Sequence, residues 1–271
     1  MNAPPAVSPG TAATAIYVYG VVPAETSPAL FQDVRGVDAS APTALIAGAG
    51  VAAVAGHVSL HEFGEDALAA NLRDADWLEA KVRAHDEVLA AALGRTTVVP
   101  FRFGAIYENE DHVRAMLAER RDLADALARL AGAVELGVNA YVDRERSRAR
   151  IAAERGGGDA EEGSGRAYME RRRLERELDA AAGSFASEVA QDAHEQLAAA
   201  AQEARANPVR SSIGGGPREM VLNGAYLVAN SGAEAFRAAV AELQARYADD
   251  GVAFELTGPW PPYNFVEHEA S

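Results

Sequence analysis

Residues 220–266 read MVLNGAYLVAN (220–230), SGAEAFRAAVAELQARYADDG (231–251) and VAFELTGPWPPYNFV (252–266). The first segment is apolar and rich in strand formers, and Met220, Leu222, Tyr226 and Val228 can share one face. Ser231 is a candidate helix N-cap. After it, Phe236, Val240, Leu243 and Tyr247 recur at helical spacing and form one apolar stripe. Asp249-Asp250-Gly251 is a stop signal, and Val252, Phe254 and Leu256 then alternate with Ala253 and Glu255 as in a strand. Strand, helix and strand with short joints predict a right-handed βαβ unit. Proline cannot donate to a ladder, so GPWPPYNFV (258–266) reads as a stiff aromatic tail beyond the last strand.

Working outward, AIYVYGVV (15–22) predicts a strand with Tyr17, Tyr19 and Val21 on one face and Ile16, Val18 and Gly20 on the other. Two short strands, Thr43–Ala47 and Val51–Leu60, flank Gly48-Ala49-Gly50 as a hairpin. Asp66–Leu93 carries a helical stripe of Leu78, Val82, His85, Leu89 and Leu93, on which His85 reads as a hydrogen-bonded core or boundary residue. TTVVPF (96–101) predicts a strand whose Pro100 marks an edge or a strand end, Glu110–Ala131 a helix, and VELGVNAYV (134–142) another strand. From Asp143 the chain turns charged and helix-prone, with a glycine-rich joint at 156–165 and a second helical run over Arg166–Ala206. This predicts a long helical hairpin between strands. SSIGGGP (211–217) reads as a turn; it lacks the Gly-Lys-Ser/Thr ending of a phosphate loop.

The fold class expected is α+β: two ferredoxin-like domains, 15–131 and 132–266, the second interrupted by helical residues 143–206, after a flexible leader at 1–14. Composition narrows the function. The 271 residues carry 40 acids against 25 bases, a formal charge of −15, opposite in sign to a nucleic-acid or anionic-membrane binder. The locally basic stretch 143–177 mixes 10 arginines with 9 acids, which makes a solvated face rather than a phosphate-binding patch. With no cysteine there is neither a disulfide nor a thiolate metal site. His57 and His61 are four apart at the end of a strand, where that spacing separates them by roughly 13 Å, so they read as partly exposed polar residues ahead of the alternative, a metal site. No nucleophile, dinucleotide or metalloprotease motif is present, so no catalytic, cofactor-binding or metal-ligating residue is assigned and no enzyme activity is expected.

Five blocks carry a resemblance: IYVYGVVPA (16–24), GVAAVAGHVSL (50–60), TTVVPFRFGAIYEN (96–109), NGAYLVAN (223–230) and GPWPPYNFV (258–266). In this order, over about Ala15 to Val266, they resemble the gas vesicle protein L/F family (GvpL/GvpF). The resemblance implies a non-enzymatic accessory or minor structural protein of gas vesicles, cytoplasmic and vesicle-associated. Its implied partners are the hydrophobic shell subunit, gas vesicle structural protein A, and other accessory proteins, with no nucleic acid and no membrane. Candidate interaction residues are Phe101, Arg102 and Phe103 in one loop and Trp260, Tyr263 and Phe265 in the tail. Each group has a second reading: the two Phe pack inward while Arg102 pairs with an acid, and the tail aromatics pin the C-terminus to the core. Two alternatives stand beside the family reading: a ferredoxin-like ligand-binding or regulatory module unrelated to gas vesicles, and a coiled-coil interaction protein built around Arg166–Ala206.

Overall fold

A computed structural model of the chain describes residues 13–155, 165–209 and 218–266. The leader up to residue 12, the glycine-rich joint at 156–164 and the SSIGGGP turn lie outside the described residues. The described chain forms two compact units, 13–132 together with 261–266, and 133–260. The tail therefore belongs with the first unit, whereas the sequence reading carries the second domain through to Val266.

In the first unit, β1 (Thr14–Pro23) lies at the centre of an antiparallel sheet. β2 (Thr43–Gly48) and β3 (Val51–Ser59) form the expected hairpin, and β3 pairs with β1 from Thr14↔Ser59 to Pro23↔Val51. Two very short strands, β4 (Val99–Pro100) and β5 (Ile106–Tyr107), share the opposite edge of β1, giving the order β2-β3-β1-β4. Both faces of β1 are buried. Tyr17, Tyr19 and Val22 meet Val54, Val58, Phe63, Val88 and Leu89 in one core. Helices α1 (Leu60–Phe63), α2 (Glu65–Asn71) and α3 (Ala75–Ala92) connect β3 to β4. Helices α4 (Glu110–Glu119) and α5 (Asp122–Leu130) follow β5 and bury Val113, Leu117, Leu123, Leu127 and Leu130.

Two helices expected to be continuous are broken, each by a local polar contact. Asp74 caps α3 by accepting from the Asp76 and Trp77 amides, so 66–93 is two helices rather than one. Arg120 forks onto both Asp122 carboxylate oxygens (2.8 and 2.7 Å) at the break between α4 and α5.

The second unit runs β6 (Ala133–Asp143), α6 (Arg144–Glu154), α7 (Gly165–Ala199), β7 (Glu203–Ala206), β8 (Arg218–Ala229), α8 (Ala233–Tyr247) and β9 (Val252–Trp260). Its sheet is ordered β7-β8-β6-β9. β8 and β9 both run antiparallel to β6, so they are parallel to each other with β6 between them. The βαβ unit read from the sequence is thus a split one, and the whole is the ferredoxin-like β-α-β-β-α-β plan. Ala193 and Leu197 of α7 join Phe236, Val240 and Leu243 of α8 over Leu136, Val138, Leu222 and Tyr226. Only the C-terminal half of α7 is so buried; Leu174, nearer its N-terminus, is 46 % exposed. The helical run also stops earlier than its sequence suggests. Glu203–Ala206 is an edge strand paired with β8 from Leu227 to Gly224.

β9 is the other edge, and part of it is closed by a side chain. The Gln244 amide of α8 accepts from the Phe254 N–H (2.8 Å) and donates to the Val252 carbonyl (3.3 Å). It takes the two outward backbone groups that an added strand would take. The ladder to β6 is irregular between Glu135 and Gly137, opposite Gly258. There φ is +100° and a Cβ would stand 2.9 Å from the Glu135 carbonyl oxygen, so only glycine fits.

Candidate functional site

The loop 101–105 is the segment that separates β4 from β5. Its two ends are tied to β1 by the Phe101 N–H to the Tyr19 carbonyl (2.9 Å) and the Val18 N–H to the Ala105 carbonyl (2.8 Å). A third tie is the Gly104 N–H donated to the Tyr17 hydroxyl oxygen (3.1 Å). Phe103 folds inward and meets Tyr17, Trp77 and His85 edge-on at centroid distances of 5.9, 6.3 and 6.0 Å. Phe101 is half-buried, and Arg102 between them is exposed. Arg102 makes no hydrogen bond or ion pair with any described residue. Of the two readings for this loop, Phe103 follows the inward-packing one, while Arg102 lacks the acid partner that reading assigned it.

The tail meets the same core from the other side of His85. Phe265 is fully buried, and its carbonyl accepts from Arg129 (2.5 Å). The Tyr263 hydroxyl lies 2.9 Å from His85 Nε2 and donates to Asp86 Oδ1 (3.3 Å). His85 Nδ1 lies 2.9 Å from the Tyr17 hydroxyl. The two ends of this chain set its direction. Tyr263 gives its proton to the carboxylate, so its oxygen accepts from His85 Nε2–H. Nδ1 is left to accept from Tyr17, whose oxygen accepts from Gly104. The order demands a neutral imidazole. Burial holds the His85 pKa down at about 4. Burial likewise raises the Tyr17, Tyr263 and Asp86 pKa values, and pushes Tyr19 up to about 12.

Of the six candidate residues, then, Phe101, Arg102 and Phe103 stand in one anchored loop, with Tyr263 and Phe265 tied into the same unit through His85 and Arg129. Trp260 belongs to the second unit. It ends β9, is 49 % exposed, and donates its indole N–H to Thr257 Oγ1 (3.1 Å). Phe265 presents no surface. The sequence offered no sign that His85 joins loop and tail, since a tyrosine 68 residues before it and another 178 after it carry no local pattern. Among the described residues no three His, Cys, Asp or Glu side chains gather as metal ligands, and no helix is long and apolar enough to cross a membrane.

Comparison with known proteins decides the family. The profile of "Gas vesicle synthesis protein GvpL/GvpF" matches residues 15–267. The chain belongs to the GvpL/GvpF family. A gas vesicle protein L of Streptomyces sp. (strain CB03234) is 34 % identical over 227 residues, covering 83 % of each chain. A gas vesicle protein F from the same strain is 34 % identical over 215 residues, covering 75 % of this chain and 86 % of that one. The crystal structure of GvpF from Anabaena sp. PCC7120 superposes with a TM-score of 0.70 at 17 % identity, over 95 % of this chain and 99 % of that one. GvpF from Microcystis aeruginosa gives 0.66 at 19 %, over 94 % and 99 %. These two carry the fold, while the GvpL/GvpF profile and the Streptomyces relatives carry the family. The reading as a module unrelated to gas vesicles is thereby set aside.

Proposed function

We propose that this chain is a non-catalytic accessory protein of gas vesicle assembly that binds the hydrophobic shell subunit, and other accessory proteins, at the vesicle. Family membership over residues 15–267 is the observation that carries the reading. Two surface features support it. Trp260 stands half-exposed between Pro259 and Pro261, so its large apolar face is offered with little backbone entropy left to lose. The 101–105 loop presents Arg102 from a fixed backbone. A partner whose free form exposes large apolar patches is prone to self-association, and a strongly acidic binder would keep the pair soluble.

The test is capture of purified shell subunit by the immobilised full chain, wild type beside Trp260→Ala, with circular dichroism as the folding control. Phe265 is left intact because truncating a fully buried ring would confound binding with folding. Reduced capture with an unchanged spectrum is expected for Trp260→Ala. Undiminished capture would move the contact to the 101–105 loop. Absence of capture by folded wild type, with the other assembly factors present, would overturn the direct-partner reading.

A further inference from the structure

Loop 101–105 is held to β1 by three ties of two kinds. Two are backbone to backbone, the Phe101 N–H to the Tyr19 carbonyl and the Val18 N–H to the Ala105 carbonyl. The third is conditional, because the Gly104 N–H ends on a side chain, the Tyr17 hydroxyl. Tyr17 is fully buried, and its oxygen also meets His85, the one buried histidine among the described residues. On the other nitrogen of that imidazole stands Tyr263, 178 positions along the chain. Tyr263 is part of a seated segment. Pro261, Pro262 and Val266 are buried around it, Phe265 is core, and the Phe265 carbonyl accepts from Arg129.

We propose that segment 261–266 is a strap that sets loop 101–105 by choosing the tautomer of His85. A neutral imidazole has one N–H to place. With the strap docked, the Tyr263 hydroxyl donates to Asp86, so its oxygen meets His85 as an acceptor and the proton stands on Nε2. Nδ1 then accepts from Tyr17. A hydroxyl that donates its own hydrogen is polarised into a better acceptor, and this one accepts from Gly104. With the strap away, Nε2–H has lost its acceptor, and the proton moves to Nδ1 and donates to Tyr17. The Tyr17 oxygen then divides its lone pairs between two donors, and its own hydrogen loses its bond in a buried site. The Gly104 tie weakens while the two backbone ties remain. Tyr263 and His85 are positioning residues for the loop. The inference goes beyond the shell-subunit reading and does not depend on it, since no partner enters.

The test uses the nitrogen-15-labelled full chain at neutral pH beside Tyr263→Phe, which keeps the ring and removes both hydroxyl contacts. Long-range proton–nitrogen spectra of the imidazole read the tautomer, and hydrogen exchange reads the amides. Wild type should carry the proton on Nε2. Tyr263→Phe should shift it toward Nδ1 and speed Gly104 exchange about tenfold, the scale of one weakened hydrogen bond. The Phe101 and Val18 amides should not change. Asp86→Asn keeps an oxygen for the Tyr263 hydroxyl and should hold the wild-type pattern, whereas Asp86→Ala should follow Tyr263→Phe. A wild-type proton on Nδ1, or a Gly104 rate unmoved by Tyr263→Phe, would overturn the strap. Equal acceleration of all three amides would overturn it too, because it marks a loosened core rather than a released tie. Loosening of Gly104 in Asp86→Asn as large as in Tyr263→Phe would overturn the route through the Tyr263 hydroxyl.

Discussion

The two units share one strand order and differ in what covers it. In each, the first strand by sequence sits between the third and the fourth, and the second lies at the edge. The first crossover of the second unit is helical, α6 and α7, and it lays Ala193 and Leu197 on the sheet. The corresponding crossover of the first unit, residues 24–42, has only a single 3-10 turn, Pro28–Leu30. It still delivers Phe31 and Val37, both buried, to the core. A loop can take a helix's place over a sheet only if its own backbone is satisfied. Here side chains do that: the Val37 N–H is given to the Tyr19 hydroxyl (2.9 Å), and the Val37 carbonyl accepts from Lys81 (2.7 Å). Gly36 leaves the room, since a Cβ there would lie 2.0 Å from the Tyr19 hydroxyl oxygen. The lesson is that the ladder fixes the topology, whereas the covering layer is free to vary as long as it brings apolar mass and closes its hydrogen bonds.

The sharpest way to break this comparison is Phe31→Ala. If the loop is the structural counterpart of the helix, removing its buried ring costs about 3–5 kcal/mol, as for a helical core residue, read from the urea unfolding curve. A cost under about 1 kcal/mol would reduce the loop to decoration.

The second test uses the polar contrast. The first unit buries a neutral histidine in its aromatic core, while His194 of the second unit only touches Tyr226 at the margin (3.0 Å). The folded His85 pKa of about 4 lies below the ordinary 6.5. Above pH 6.5 the imidazole is neutral in both states. As pH falls from 6.5 to 4, the unfolded chain gains a proton that the folded chain refuses, so stability declines through that window. The loss by pH 4 is on the order of 3 kcal/mol. The groups facing His85 are Tyr17, Tyr19, Phe103, Tyr263 and, through Tyr263, Asp86. Denaturant midpoints measured across this range should flatten in His85→Gln, which keeps a donor and an acceptor but does not titrate. An equal decline in the variant would assign the pH dependence elsewhere.

The smallest effect expected is that of Gln244→Ala in the second unit, about 1 kcal/mol from two lost hydrogen bonds at a partly exposed site. Faster exchange of the Phe254 amide should accompany it, and light scattering should rise as the β9 edge opens. Unchanged exchange at Phe254 would show that the side chain does not guard the edge.

Alternation and spacing were enough to place the strands and most helices, because each is a local pattern read on one element. AIYVYGVV, the Gly48-Ala49-Gly50 hairpin and the strand, helix and strand of 220–257 fall where their residues indicate. But β9 runs on through Pro259 to Trp260, into the segment read as a tail beyond the strand, because Trp260 still pairs with Glu135. The helix is entered by a 3-10 turn with Gly232, not Ser231, at its cap. Local pattern failed where a partner elsewhere outweighed propensity. EARA (203–206) suits a helix, yet pairing with β8 makes it a strand. The continuous stripes of 66–93 and 110–131 hid the breaks at Asp74 and Arg120, where a side chain competes for the backbone or for a neighbouring acid. In the candidate site, the residue types were legible and their grouping was not. FRF and the proline-rich aromatic tail stood out as unusual composition in the sequence.

What the sequence by itself determined is the α+β class, the absence of thiol chemistry, the acidic charge and, through five ordered blocks, the family. These depend on residue identity and local period alone. Only the tertiary structure decided that the tail folds back onto the first unit, that Phe265 is core while Trp260 is surface, and that His85 braces loop and tail together. Each of those depends on contacts between residues far apart in sequence. Burial and hydrogen-bond satisfaction choose such contacts after the sheets have formed.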